Sequence, residues 1–496
     1  MMEWNKIDWR KAEVKMFKLQ KRIFTASERG DVKAVRKLQK TLIRSWSARV
    51  LAVRRVTQDN QGKNMSGVDG MNKLSPNKRM ILANNLRITP ESKPTGRVMI
   101  PKANSDEKRP LGIPTINDRA LQWLVKSALE PEWEAVFEPN SYGLFRSSCH
   151  DAIEAIFNSI KQKAKYVLDV DISKCFDGIN HKALLKKVNT YPTLSRQIKK
   201  WLKAGVIDWE VFFPTNEGMP QGGTISPLLV NIALHGMEER IKQYADTLKG
   251  RKRDNRKALS LIRYADDFVI IHEDINVIED CQVIVKEWLK DMGLELKSSK
   301  IRLSHTLETY QGEVGFEFLG FHIQQHKVGD YRAATNTMGI NLGFKTLITP
   351  SKSQVKAHLR KIAEVIDTHK TASQAALINQ LNPIIRGWSN YYSTAISKET
   401  FSELDHLTYI KLRAWAKSRG KGNINKDKYW RTVGNQNWCF STEDGLKLTR
   451  HSDTPIIRHT KVRGEASPYN GEWNYWSKRR GEYPGIPYGV AKLIKK

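Results

Sequence analysis

The sequence predicts an α+β fold, and three observations carry that expectation. Short β-rich runs occur at Tyr166–Ile172, 208–213, Leu259–Tyr264 and Phe268–Ile271. Longer stretches flank them, with apolar residues recurring every three or four positions. The chain has 496 residues, room for roughly three or four domains at ~100–200 residues each. Short strands mixed with long helices are the mark of that class.

Taken in order, residues 7–56 read as two helices. Val14, Phe17, Leu19, Ile23, Val35 and Leu38 recur at helical spacing among Lys, Arg and Glu, and Gly30-Asp31 breaks the run. Residues 57–72 are polar and Gly-rich, hence loop, and 101–115 is turn-rich around Pro110 and Pro114. Residues 117–137 and 150–163 look helical. After the strand at 166–172, a helix is expected over 183–204, a strand over 208–213, a Gly/Pro turn at 218–223 and a helix from Ser226. Ala265-Asp266-Asp267 joins the two short strands as a hairpin, and a helix follows at 275–291. From about 350 the chain is helical and basic (352–369, 373–396, 400–418). Residues 417–422 read as a linker. The remainder is rich in Trp, Tyr, His, Arg and Gly, with little periodicity.

Lys and Arg number 83 against 52 Asp and Glu, a net charge of +31. Such an excess calls for a polyanionic partner. It is unevenly spread. Residues 1–100 hold 23 basic and 8 acidic side chains, and residues 351–496 hold 26 and 12. Basic ends therefore flank a nearly balanced middle. The four cysteines, Cys149, Cys175, Cys281 and Cys439, are far apart and form no C-x-x-C pair. That argues against a zinc ribbon or a disulfide framework and for a reducing compartment, here the cytoplasm. The opening MMEWNKIDWRKAEVK has no apolar signal core, and no stretch approaches the ~20 apolar residues of a membrane span.

Three acids sit where an ordinary core would not choose them. Asp171 ends the apolar run Val167–Val170, and Asp266 and Asp267 are adjacent between apolar strands. Crowded carboxylates repel and cost desolvation unless a cation joins them. Mg²⁺ suits such a site, and a pair of ions can clamp an in-line phosphoryl displacement. An ordinary solvated turn at Asp266-Asp267 is the plain alternative. Asp169, two residues from Asp171, lies on the same strand face and reads as a secondary or structural acid.

At these residues the sequence resembles the reverse transcriptases. Tyr264-Ala265-Asp266-Asp267 is similar to their YADD motif, and Asp171-Ile-Ser-Lys-Cys-Phe-Asp177 to their first catalytic motif. The run from Gly218 to Leu229 resembles the intervening block, and Phe316 to His322 the strand block before the thumb. The likeness extends to the reverse transcriptase/maturases of group II introns. It rests there on 51–57 with Gly67-Val-Asp-Gly70, on Arg109 to Thr115, on Asn140-Ser-Tyr-Gly143, and on Arg386-Gly-Trp388 with Asn390-Tyr-Tyr392. One departure is Leu144-Phe-Arg-Ser-Ser148, where the family continues with Phe-Arg-Pro-Gly-Arg. Another is the lack of the His- and Cys-bearing metal nuclease ligands many relatives carry at their end, so no endonuclease activity is expected.

The resemblance implies a right-hand polymerase. Its parts would be a basic helical extension that binds RNA (1–60), fingers (61–165), a palm with the catalytic acids (166–345), a helical thumb or maturase region (346–420) and a DNA-binding segment (421–496). Asp171, Asp266 and Asp267 would be catalytic and would hold two Mg²⁺, with Mn²⁺ a possible substitute. Ile172 would join both the metal and the nucleotide contacts. Phe176 would pack under the incoming sugar and exclude a 2′-hydroxyl. Gln221 would touch the nucleotide from its Gly-flanked loop. Lys102 and Arg109 suit a triphosphate, one as point charge and the other as fork; Arg119 is a lesser candidate. Lys300 could assist pyrophosphate departure. The alternative for each of these is solvated surface charge or core.

Arg360, Lys361, Arg386, Lys411 and Arg413, with Lys352, Lys356, Lys417 and Arg419, suit phosphate contact along an A-form hybrid. Trp430, Trp438, Arg458, His459, Trp473 and Trp476 interleave with Lys478, Arg479 and Arg480, a pattern fit for stacking and charge on nucleic acid. His451 and His459 read as packing or phosphate contacts, not metal ligands. Partners would be deoxynucleotides, an RNA template with its DNA primer, the intron RNA and target DNA. Monomer and dimer both stay open. So do two other readings: a splicing factor with secondary polymerase activity, and a domesticated reverse transcriptase in host defence. An RNA-dependent RNA polymerase is a further alternative, which Phe176 argues against.

Overall fold

A computed structural model describes residues 3–89, 91–101, 108–143, 147–329, 331, 333–419, 426–464, 466–472, 474–476 and 479. Lys102, Leu144, Phe145, Arg146, Trp473, Lys478 and Arg480 lie outside them, as do residues 420–422 of the linker expected at 417–422, whose first three residues instead continue the helix Lys398–Arg419. The chain divides into two compact units. The first comprises residues 1–155, 168–302 and 461–496, the second 156–167 and 303–460.

The first unit begins with α1 (Trp9–Glu28), α2 (Val32–Arg44) and α3 (Trp46–Arg54). Asp8 caps α1 through the Lys11 amide and Asp31 caps α2 through the Ala34 amide. Three helices stand where the periodicity suggested two, because Ser45 takes an extended backbone that breaks the run. They surround α4 (Ile116–Glu134), whose residues are mostly buried. Gln20 and Gln39 donate to the Ser127 and Ala128 carbonyls of α4 at 3.0 and 3.2 Å, so their buried amides are satisfied.

Two sheets follow. One has the order β2-β1-β4-β5, formed by β1 (Thr95–Pro101), β2 (Lys108–Ile113), β4 (Val206–Asp208) and β5 (Val211–Phe213). Between them in sequence lies β3 (Tyr166–Ser173). The turn-rich reading of 101–115 missed the hairpin of β1 and β2. The single strand expected at 208–213 is instead a hairpin, since Trp209 and Glu210 both have positive φ, the requirement of a two-residue turn. The helix expected over 183–204 is likewise two, His181–Val188 and Pro192–Leu202, parted by the left-handed Asn189 and by Pro192.

The second sheet carries the acids. Here β3 lies beside β7 (Asp267–His272), which pairs with β6 (Ser260–Tyr264), with Ser141–Tyr142 at the far edge beside β6. Glu295–Leu296 pairs with the end of β3. Phe268, Val269, Ile270 and Ile271 are wholly buried, each worth ~1.5–3 kcal/mol by apolar burial. Ser226–Leu234 and Ile275–Lys290 are helices, as the periodicity suggested.

The second unit is built on an antiparallel three-stranded sheet (Phe316–Phe318, Phe321–Lys327, Phe344–Pro350) and the helices Lys352–Thr368, Gln374–Tyr392 and Lys398–Arg419. Ile362, Ile366, Leu377, Leu381, Leu412 and Trp415 form its helical core. The hairpin Trp430–Val433 and Gln436–Phe440 completes that core with Trp430 and Phe440. Among the described residues no helix is long and apolar enough to cross a membrane.

Candidate active site

The strand pair β6 and β7 is joined by Ala265 and Asp266, with Tyr264 opposite Asp267. Ala265 has φ +56°. A non-glycine residue in that region costs ~1–2 kcal/mol, so surrounding contacts must hold the turn. Tyr264 lies against Gly143, where a Cβ would come within 3.3 Å of its ring. The Ala265 amide donates to the Tyr142 carbonyl at 3.4 Å, and the Ala265 carbonyl accepts from Arg263 Nη1 at 3.0 Å.

Asp169, Asp171 and Ser173 share the half-buried face of β3, while Val170 and Ile172 point into the core. Burial raises the pKa of Asp266, and Asp171 adds to it. Burial lifts Asp267 to about 6, helped by the charges of Asp266 and Asp171. Asp169 is lifted to about 7 by burial and by Asp267. The acids distant in sequence are therefore within electrostatic reach of one another. Lys300 is ion-paired with Asp171, and its ammonium pKa rises in consequence. Among the described residues no three His, Cys, Asp or Glu side chains already converge on one point from which an ion could be held.

The turn at 218–221 closes on the same motif. The Met219 amide donates to the Phe176 carbonyl at 2.6 Å and the Gly218 amide to the Ile179 carbonyl at 2.8 Å. Gly218 has φ +73°, and a Cβ there would sit 2.4 Å from the Asp177 carbonyl oxygen, so only glycine fits. At Gly222 a Cβ would lie 2.3 Å from the Gly112 carbonyl oxygen, bringing the end of β2 onto this loop. Arg97, Pro110, Gly112, Asp177, Met219 and Gln221 line the resulting cavity of about 430 Å³. Phe176 and Gln221 are half-buried and Arg109 is exposed on β2. The positive charge of Arg109 eases the ionisation of both Asp266 and Asp267. Ile172 has a buried side chain, so only its backbone could meet a ligand.

Several nucleic-acid and phosphate candidates are placed otherwise. Arg119 is buried and donates to the Gly62 and Met65 carbonyls, pinning that turn to α4. Arg479 is buried in an ion pair with Asp151 at 2.6 Å; burial removes it from any phosphate. Trp430, Trp476 and His459 are buried too, whereas Trp438 is exposed. Apolar burial won over stacking for Trp430, packed with Leu412, Trp415 and Phe440, and for Trp476, packed with Val462 and Ala466. His451, expected as a packing or phosphate contact, binds Asp405 and His358 and is fully buried, which leaves packing as its role. Arg360, Lys361, Arg386 and Arg413 are exposed on the helices of the second unit, and Lys411 is half-buried. Lys361 pairs with Glu364. Sequence reasoning missed Arg263, fully buried behind the Asp266 turn. An arginine within an apolar strand was the available signal.

Comparison with known proteins adds a second line of evidence. Residues 100–323 match the reverse transcriptase (RNA-dependent DNA polymerase) family, and residues 4–86 match the N-terminal domain of reverse transcriptase. Residues 355–433 match the group II intron maturase-specific domain. The chain is 28% identical over 426 residues to the group II intron-encoded protein LtrA of Lactococcus lactis subsp. cremoris, covering 71% of this chain and 69% of that protein. It is 32% identical over 325 residues to protein YkfC of Escherichia coli K12, covering 57% and 82%. It is 28% identical over 414 residues to maturase-like protein 1 of Euglena gracilis, covering 81% and 78%.

Proposed function

This chain belongs to the family of reverse transcriptases that group II introns encode and that also serve as maturases, and we propose that Asp171, Asp266 and Asp267 form its polymerase centre. Membership makes the protein an RNA-directed DNA polymerase, a nucleotidyltransferase. One observation carries the reading of the centre: at one end of one sheet the charge of Asp171 raises the proton affinity of Asp266, 95 residues later in the chain, and of Asp267.

The donor set fits Mg²⁺. That ion takes few carboxylate oxygens and completes its shell with water and substrate phosphates, so three protein ligands need not meet beforehand. Bound there as a pair, Mg²⁺ (or Mn²⁺, which accepts the same oxygens) would supply charge stabilisation for in-line transfer of a deoxynucleotide to a primer 3′-hydroxyl. Asp171 and Asp266 would be its principal ligands, joined by Asp267 and the backbone of Ile172. Lys300, paired with Asp171, would face the departing pyrophosphate. Arg109 grips the triphosphate as a fork. Phe176 lies under the sugar and Gln221 beside the nucleotide.

In this reading residues 61–165 are fingers, 166–345 palm and 346–420 thumb. The exposed cations Arg360, Lys361, Arg386 and Arg413 meet the phosphates of the template–primer hybrid and of the intron RNA. Target DNA supplies the primer. A host-defence or purely splicing role is not favoured by relatives that are themselves intron-encoded or maturase-like.

The test is primer extension on poly(rA)/oligo(dT) with Mg²⁺ by the wild type, Asp171→Asn and Asp266→Asn, alongside binding and splicing of the intron RNA. Loss of extension with retained RNA binding supports the assignment. Undiminished extension by Asp266→Asn overturns it.

A further inference from the structure

Arg263 immediately precedes the Tyr264-Ala265-Asp266-Asp267 turn and, among the described residues, is the largest fully buried charged side chain. A guanidinium out of water carries a desolvation cost of several kcal/mol unless its donors are met. Its hydrogen-bond partners are neutral oxygens, with the carboxylates of Glu138, Glu238 and Asp266 within electrostatic reach. Nη1 donates to Asn231 Oδ1 at 2.8 Å and to the Ala265 carbonyl at 3.0 Å, and Nη2 donates to Ser141 Oγ at 2.6 Å. The backbone amide of Arg263 donates to the Asn140 carbonyl at 3.0 Å. A hydrophobic residue would fill the same core without that cost, so the charge calls for an explanation beyond packing.

The three partners come from three separate segments. Ser141 belongs to the edge strand beside β6. Asn231 belongs to the helix Ser226–Leu234 that follows the 218–223 turn. Ala265 is the residue at φ +56° whose peptide leads into Asp266. A planar fork with several fixed donors can fix a carbonyl and two side chains at once; a lysine ammonium cannot reproduce that geometry. Asn231 is itself oriented, since its amide donates to the Pro227 carbonyl at 2.9 Å. The arrangement fixes the carbonyl of the peptide that joins Ala265 to Asp266.

We propose that Arg263 is a positioning residue for polymerisation, clamping the Ala265 carbonyl to Asn231 and Ser141 so that Asp266 is presented in its metal-binding orientation. The inference rests on the assignment of Asp266 to the polymerase centre. Arg263 meets neither substrate nor metal. It acts through the turn, so its loss should lower the rate and raise the metal requirement, leaving nucleotide and RNA affinity alone.

The experiment compares the full-length wild type with Arg263→Lys, Arg263→Gln, Asn231→Ala, Ser141→Ala and Asp266→Asn. Readouts are kcat and KM for dTTP on poly(rA)/oligo(dT), the Mg²⁺ concentration at half-maximal rate, thermal unfolding and intron RNA affinity. Arg263→Lys and Arg263→Gln are expected to lose at least tenfold in kcat and to need several-fold more Mg²⁺, with KM and RNA affinity within twofold of wild type. Asn231→Ala and Ser141→Ala, which leave the guanidinium in place with one partner fewer, are expected to move the same quantities less. They decide the matter should the Arg263 variants fail to fold. The inference is overturned if folded variants keep the wild-type Mg²⁺ requirement, or if kcat falls only in step with thermal stability. Should Asp266→Asn extend primers normally, the polymerase-centre assignment itself fails. Should it be inactive while Arg263→Gln is normal, only the positioning role fails.

Discussion

The ammonium of Lys300 is ion-paired with the carboxylate of Asp171, 129 residues earlier in the chain. Lys300 follows Glu295–Leu296, the short strand that pairs with the end of β3, and the Lys297 amide donates to the Asp171 carbonyl at 2.9 Å. The lysine thus stands where a divalent cation would compete for the same oxygen. Removing it with Lys300→Ala is expected to tighten Mn²⁺ binding in the absence of substrate by roughly two- to fivefold, the equivalent of a partly exposed ion pair at ~0.2–1 kcal/mol. Extension should nonetheless slow. Paramagnetic titration with Mn²⁺ and single-turnover extension check both halves; unchanged Mn²⁺ affinity would mean that the pair does not compete.

Phe176 is half-buried, with its carbonyl taken by Met219, so its ring has little freedom to withdraw from an incoming sugar. Phe176→Ala is expected to raise incorporation of ribonucleotides relative to deoxynucleotides by at least tenfold, with deoxynucleotide KM changed far less. Competition between rTTP and dTTP in primer extension measures it. A wild type that already accepts ribonucleotides would defeat the assignment.

Arg479 and Asp151 form an ion pair buried on both sides, with side-chain exposures of 6% and 1%. Asp151 Oδ1 also accepts from the Val462 amide at 2.7 Å. Breaking such a pair from one side leaves an uncompensated charge, at a cost of ~3–5 kcal/mol. Arg479→Ala is expected to lower the unfolding midpoint markedly without changing the salt dependence of RNA binding. Replacing both residues by Arg479→Met and Asp151→Leu should recover only part of the stability, because the Val462 and Ser148 amides then lose their acceptor. A shallower salt slope in Arg479→Ala would instead restore its phosphate role.

His358 stacks on Trp388 at 4.6 Å and meets His451 Nε2 at 2.8 Å. Burial and the neighbouring His451 push its pKa down to about 3. The unfolded chain takes up this proton near its ordinary value of 6.5, the folded chain only near 3. Stability from keeping His358 neutral is therefore complete above about pH 6.5 and declines as pH falls toward 3, by at most ~1.4 kcal/mol per pH unit. Asp405 acts in the same direction lower down. Burial pushes its pKa up, but hydrogen bonds from His451 and Ser452 outweigh that and hold it below the ordinary value. Denaturant unfolding of the protein between pH 7 and 4 should show the decline, and His358→Phe should flatten it. Equal slopes in both proteins would remove His358 as the cause.

The residue order by itself determined the chemistry and much of the helical framework. Asp171, Asp266 and Asp267 announce themselves because acids next to Val, Ile and Phe break a pattern that apolar burial would otherwise impose. The helices at 275–290 and 352–368 were legible because their apolar spacing is local and unbroken. Local signals failed where a backbone reversal needed no glycine, as at Trp209-Glu210, and where a proline-rich run proved to be the strand Lys108–Ile113. Only the tertiary structure decided which charges and rings are exposed. Arg386 and Arg479 look alike as letters, yet one is exposed and the other is sealed against Asp151. Trp430 fills a core while Trp438 faces solvent. Burial is a property of neighbours brought together from distant segments, and Arg263, meeting Ser141, Asn231 and Ala265, owes its place to three of them at once.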